Sequence, residues 1–217
     1  MLNVIGVSRQ IQKRCTLFYG ATCWVVRFAG CGMKCLTCRS PSQGRQDGWN
    51  VTEETLAKLL ADQGGTDKIY LMGGDPLTQQ TAEMQKLMND LLAVGYRRFF
   101  VETPLSTSVR WLVRFRESNP SIRLYIIANV LLVSSGMTEL SDESNYELLG
   151  RHDVLHLICR DQADLDDART TISRFASAEQ PPILQFGASD EQREGWLQDA
   201  IMRLDDPMFD RFDIRIL

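Results

Sequence analysis

Short strand-like runs and amphipathic helical stretches alternate along this chain, and that alternation restricts its fold more than any other feature. "TCWVVRFA" (22–29) is β-branched and aromatic and predicts a strand ending just before Cys31. Thr52, two glutamates and two closing glycines bound a helix over 52–65. "KIYLM" (68–72) is a short buried strand running into "GGDP". Met84, Leu87, Met88, Leu91 and Leu92 then recur with helical spacing, and Gly95 stops the stripe. The alternation goes on: strand 97–101 leading to "ETP", a helix with Val109, Leu112 and Val113, and strand 122–128. Strand 154–158 leads to a helix carried by Leu165, Ala168, Ile172 and Phe175. Strand 182–186 leads to one carried by Leu197, Ala200, Ile201 and Leu204, and 213–217 reads as a last strand. Only 129–153 lacks a period, which predicts a long loop with a short helix.

Strand–helix alternation with short connections means parallel strands joined by right-handed crossovers. About six units are too few for a closed eight-fold barrel, so the expected fold is α/β, an open or partial barrel. Ligands in such sheets sit beyond the carboxyl ends of the strands. The cysteine loop, "GGDP" and "ETP" each follow a strand and should share one mouth. A chain of 217 residues, 44% hydrophobic and 24% charged, suits one soluble domain spanning 1–217. Its net charge of −4 gives no electrostatic reason to bind nucleic acid or an anionic membrane. No apolar leader or membrane-spanning stretch stands out, so a cytoplasmic location is expected. Cysteines in that compartment serve metals or catalysis more than disulfides.

Three of them, Cys31, Cys35 and Cys38, have C-x3-C-x2-C spacing in one turn-rich loop. Structural zinc wants a fourth ligand, and the two histidines, His152 and His156, lie far off in sequence. An electron-transfer [4Fe–4S] cluster also wants four cysteines. Three thiolates leave one iron open, as a cluster needs if it is to bind a substrate or cofactor directly. A plain row of inert thiols fits poorly beside Gly and Lys. Cys15 and Cys23 lie before or within the first strand and read as unrelated to the cluster, and Cys159 reads as a small core residue at a strand end.

The spacing, together with "MGGDP" (72–76) after the next strand, resembles the radical S-adenosylmethionine superfamily. That resemblance implies a [4Fe–4S] cluster on Cys31, Cys35 and Cys38 whose open iron binds the methionine moiety. One electron then splits a sulfonium S–C bond and yields a 5′-deoxyadenosyl radical that abstracts hydrogen from substrate. "GGDP" stands for that superfamily's Gly-Gly-Glu-Pro, with Asp75 one methylene shorter, and implies cofactor contacts by Gly73, Gly74 and Asp75. Within the superfamily, "VVRFAGCGMKCLTC", "GGDPLTQ", "VET" and "LHLICRDQADLDDAR" resemble the 7-carboxy-7-deazaguanine synthase family, which contracts the ring of 6-carboxytetrahydropterin. This resemblance runs to about residue 186 and is strongest over 23–104. It implies a partial (β/α)6-type barrel and polar cofactor contacts near Glu102 and Thr103. Arg27, Arg39, Ser40 and Asn129 are the candidate substrate residues.

The departures matter as much. The family's Asp-Thr after its third cysteine, which supports a Mg²⁺ beside the substrate carboxylate, is Arg39-Ser40 here. That leaves Mg²⁺ open, and Arg39 itself is a candidate to meet the carboxylate or phosphate. "FYGATC" (18–23) replaces Gln-Gly-Glu-Gly, "ANV" (128–130) replaces Ser-Pro-Lys, and the Gln-x-His-Lys tail has no counterpart before Leu217. Cofactor-handling residues match while substrate-handling residues do not. The expectation is one radical generator acting on a small pterin- or purine-like molecule, held in the family's way or in a new one. A flavodoxin- or ferredoxin-type reductant is implied, and a homodimer is allowed. A glycyl-radical activase, a diverged relative with a new substrate, and a non-catalytic iron–sulfur or zinc protein are the alternatives.

Overall fold

The computed structural model describes residues 1–11, 20–38 and 48–175, with the backbone of 183–186 and 213–215. Its strands are β1 (Leu2–Ile11), β2 (Thr22–Phe28), β3 (Trp49–Val51), β4 (Lys68–Gly73), β5 (Arg98–Thr103), β6 (Arg123–Val130), β7 (Val154–Cys159), β8 (Ile183–Phe186) and β9 (Asp213–Arg215). They form one sheet in the order β3-β1-β2-β4-β5-β6-β7-β8-β9. Every neighbouring pair from β2 to β9 is parallel, while β1 runs antiparallel to β2 and β3. The parallel order never reverses. Right-handed crossovers then put every connecting helix on one side.

Those helices are α1 (Glu53–Gln63), α2 (Thr81–Ala93), α3 (Arg110–Ser118) and α4 (Gln162–Phe175). Thr52 caps α1 by accepting from Thr55 N–H at 3.2 Å, as its position at the head of the stretch predicts. Leu56, Leu60, Met84, Leu87, Leu112 and Leu165 share a core with Val26, Leu71, Val101, Ile126 and Leu155 from the strands. The sheet's other face carries Cys23, Val25, Tyr70, Phe100, Tyr125, Ile127 and Val154, all buried. A parallel sheet wound in one sense, with its helices outside, curls around that inner face as a partial barrel does. Tyr70, Phe100 and Tyr125 stack there with ring centroids 5.9 and 5.3 Å apart.

Two strands escaped the sequence reading. In β1 the apolar alternation is broken by Gly6, Ser8, Arg9 and Gln10, and β3 has only three residues. The aperiodic segment is a loop with short helical turns, as expected, except at its start. Asn129 and Val130 extend β6, and the remainder folds into 3₁₀ turns at 133–135, 138–140 and 143–148 with no α-helix. Its anchor is the fully buried Asn145, which accepts from Val109 N–H and donates to the Leu105 and Thr107 carbonyls. Such an amide offers the backbone partners that a helix would otherwise supply. The helix expected around Leu197–Leu204 lies outside the described residues, as do Cys15, Arg39 and Ser40. Among the described residues, no helix is long and apolar enough to cross a membrane.

Candidate active site

β2 and β4 are parallel neighbours, so the loops that leave their carboxyl ends start side by side. Gly74 N–H donates to Phe28 O at 3.0 Å and Asp75 N–H to Gly30 O at 2.9 Å, which ties "GGDP" to the residue before Cys31. The approach is too close for side chains. A Cβ on Gly73 (φ +122°) would sit 2.6 Å from Phe28 N, and one on Gly74 would sit 1.8 Å from Gly30 O. These glycines are therefore required first by the cysteine loop itself. Gln79, at the end of "GGDPLTQ", adds a clamp: its amide donates to Ala29 O and accepts from Asn3 N–H, both at 2.9 Å.

Asp75 is fully buried. Its Oδ1 accepts from Leu77 N–H at 3.0 Å, capping the 3₁₀ turn Pro76–Thr78, and its Oδ2 accepts from the Ser106 hydroxyl at 3.2 Å. Burial pushes its carboxyl above the usual range, while the Leu77 amide and the Thr103 and Ser106 hydroxyls pull it back. The carboxylate thus faces inward and joins "GGDP" to the loop after β5. The mouth expected from the sequence is assembled through that contact.

The far side of the cysteine loop is pinned by residues the sequence gave no reason to choose. Leu36 N–H donates to Ser135 O at 3.0 Å, and Arg160 Nη2 donates to Thr37 O at 2.7 Å. The buried Asp164, in the first turn of α4, accepts from Ser134 N–H, the Ser134 hydroxyl and Arg160 N–H at 2.8, 2.7 and 3.0 Å. An acidic helix start was visible in "RDQADLDD", but nothing local linked it to residues 123 positions away.

Cys31, Cys35 and Cys38 form no disulfide and are partly exposed. Burial pushes the Cys31 thiol up, Met33 N–H opposes, and the charges of Asp75, Cys35 and Cys38 push it further. Burial and then Cys38 push Cys35 the same way. The thiols therefore sense one another, and holding them together as thiolates calls for a shared positive centre. Among the described residues no three His, Cys, Asp or Glu side chains gather tightly enough for a single metal ion. A cluster makes a different demand, one thiolate per iron, and this donor set fits it. Cys159 is a buried core residue, as expected, its thiol pushed up by desolvation, and Cys23 is buried on the inner face.

Glu102 and Thr103, paired in the sequence reading, lie on opposite faces of β5, as successive strand residues must. Thr103 is buried beside Asp75, with its Oγ1 accepting from Leu105 N–H at 3.2 Å. Glu102 shares the inner face with two other candidates. Arg27 follows Val25 by two positions on β2 and donates to the Ser8 hydroxyl at 3.1 Å; the Gln10 amide oxygen, oriented as its neighbours require, accepts from it at 2.9 Å. Asn129 donates to Glu102 Oε1 at 2.7 Å. Tyr70 and His156, which the sequence reading did not choose, join the same row. Register would have found them, since Asn129 pairs with His156 and Glu102 with Ile127, two before Asn129.

Residues 18–101 match the family described as a 4Fe-4S single cluster domain. That stretch holds the C-x3-C-x2-C loop and its glycine pair at the mouth of a helix-backed parallel sheet, and in these features the chain is similar to the radical S-adenosylmethionine superfamily. It is 27% identical over 152 residues to the 7-carboxy-7-deazaguanine synthase of Clostridium acetobutylicum, a match covering 69% of this chain and 65% of that protein's length. The matched stretch thus spans just under two thirds of that relative. Among solved structures, QueE from Escherichia coli superposes with a TM-score of 0.67 at 12% identity, over 100% of this chain and 93% of that one. Native anSMEcpe with bound AdoMet gives 0.62 at 12% identity, over 87% and 61%. These two likenesses show a shared fold.

Proposed function

We propose that the chain is a radical S-adenosylmethionine enzyme acting on a small pterin- or purine-like substrate, in the manner the name of its curated relative suggests. The observation that carries the reading is the backbone contact between the cysteine loop and "GGDP", Asp75 N–H to Gly30 O at 2.9 Å. Cys31, Cys35 and Cys38 would hold a [4Fe–4S] cluster, and the neighbouring glycine pair would border the S-adenosylmethionine. When bound, the reduced cluster supplies the electron that cleaves S-adenosylmethionine into a hydrogen-abstracting radical.

The chain's own residues do the rest. The Asp75 amide and the Gln79 side chain hold the two loops in one register, so cluster and cofactor sites cannot drift apart. The buried aromatic stack of Tyr70, Phe100 and Tyr125 keeps water from the inner face, where a radical must be shielded. Arg27 and Glu102, on that face, are placed to orient a polar substrate. Arg39, in place of the family's aspartate, takes the substrate carboxylate in its guanidinium fork where the family uses Mg²⁺.

The test is turnover. Anaerobically reconstituted and reduced protein, given S-adenosylmethionine and 6-carboxytetrahydropterin, should form 7-carboxy-7-deazaguanine. The rate should survive EDTA added after cluster assembly. Formation of 5′-deoxyadenosine without any change in the pterin would reject the substrate and keep the superfamily chemistry. A strict Mg²⁺ requirement would reject the role given to Arg39.

A further inference from the structure

Four side chains from four neighbouring strands form one hydrogen-bonded row across the inner face. Tyr70 Oη donates to Glu102 Oε2, Asn129 Nδ2 donates to Glu102 Oε1, and Asn129 Oδ1 lies against His156 Nδ1, each at 2.7 Å. Donor arithmetic gives the row a direction. Both Glu102 oxygens accept, so Asn129 must turn its NH2 toward Glu102 and its carbonyl toward His156. A carbonyl only accepts, so His156 Nδ1 must carry a hydrogen. The ring is 5% exposed, so bulk water is a poor substitute partner for that nitrogen.

We propose that His156 is a positioning residue. Its Nδ1–H fixes the Asn129 amide, and Asn129 with Tyr70 then holds the Glu102 carboxylate still, as an acceptor facing the inner side of the sheet. The anchor suits a ligand that presents N–H or O–H donors, which is the donor-bearing edge of a nitrogen heterocycle; for that ligand the inference rests on the reading above. Asn129 stands in "ANV", where the resembled family has Ser-Pro-Lys, so the row accounts for a departure of this chain. Holding a carboxylate from both oxygens restricts its rotation, and an acceptor held ahead of binding loses less on recognition.

The chain has two histidines, so a His152→Gln variant leaves His156 as the single imidazole. Long-range ¹H–¹⁵N spectra of the ¹⁵N-histidine-labelled full chain then report its protonation directly. A hydrogen on Nδ1 is expected; a bare Nδ1 with the proton on Nε2 would overturn the proposal, with no further variant needed. In Asn129→Leu and in Glu102→Leu the ring should move toward the Nε2–H form, since each change removes what fixes the amide. An unchanged His156 spectrum in both would show that nothing is transmitted along the row. In turnover of 6-carboxytetrahydropterin, His156→Leu should raise KM about tenfold, one hydrogen bond's worth, with kcat within about twofold. His156→Asn, whose amide nitrogen falls near the place of Nδ1, should recover most of that loss. A wild type that leaves this pterin untouched counts against the functional reading, and the ring's tautomer still decides this one.

Discussion

Asp75 has no exposed surface, and three donors meet it: the Leu77 amide and the Thr103 and Ser106 hydroxyls. Burial outweighs them, so its carboxyl titrates above the roughly 3.9 of an unfolded aspartate. A raised folded pKa binds the proton more tightly in the native state. Its contribution to stability is therefore complete below the unfolded value and is lost as pH rises through the folded one. Asp75→Asn keeps an acceptor for Leu77 N–H and removes the titration. Urea midpoints of the cluster-free chain, measured from about pH 4 upward, should fall for the wild type relative to Asp75→Asn. Parallel curves would mean that Asp75 is not desolvated. The resemblance implies a cofactor contact for Asp75, and the structure adds a second role to that expectation. Its role as the pin between two loops needs Ser106, which is not adjacent in sequence and is met only through the fold.

The elements were legible where a period and a cap coincide. Thr52 opening α1, the methionine and leucine stripe of α2 and the strands ending before each loop follow from local chemistry. The order in which loops touch was not legible, because it depends on strands pairing. Gly74 shows the consequence. Read from sequence, its glycine lets backbone approach the cofactor; in the structure a side chain there would first strike Gly30 O at 1.8 Å, ahead of Cys31. Gly74→Ala should therefore lower iron uptake on reconstitution and S-adenosylmethionine binding together. Full iron content with binding alone lost would restore the simpler reading. At the far side, Asp164→Ala strands the amides of Ser134 and Arg160, at a cost of about 1–3 kcal/mol per unsatisfied group. Hydrogen exchange at Leu36, whose amide rests on Ser135 O, should quicken by tenfold or more if that cost is local (about 1.4 kcal/mol per decade). Unaltered exchange at Leu36 would detach α4 from the cysteine loop.

At the scale of the molecule, one winding sense puts the helices outside, a filled inner face behind them and every chemistry-bearing loop at one edge. Alternation alone predicts this, and among the described residues it misses strands too polar or too short to show a pattern. The frame also depends on a charge pair distant in sequence: Arg116 donates to the buried Asp153 at 2.7 Å, and Asp153 also accepts from Ile126 and Gly150 N–H. Asp153→Ala leaves a partly buried guanidinium and two amides without that partner, and global stability in urea should fall by about 3–5 kcal/mol; a loss below about 1 kcal/mol would make the pair a surface one. The frame exists to present three thiols beside a glycine pair, and reductive cleavage of S-adenosylmethionine measures that most directly. Reconstituted anaerobically and reduced with dithionite, the wild type should carry a cluster and release 5′-deoxyadenosine, while Cys35→Ala should release none. Zinc as the sole bound metal, or 5′-deoxyadenosine from Cys35→Ala at the wild-type rate, would contradict the account.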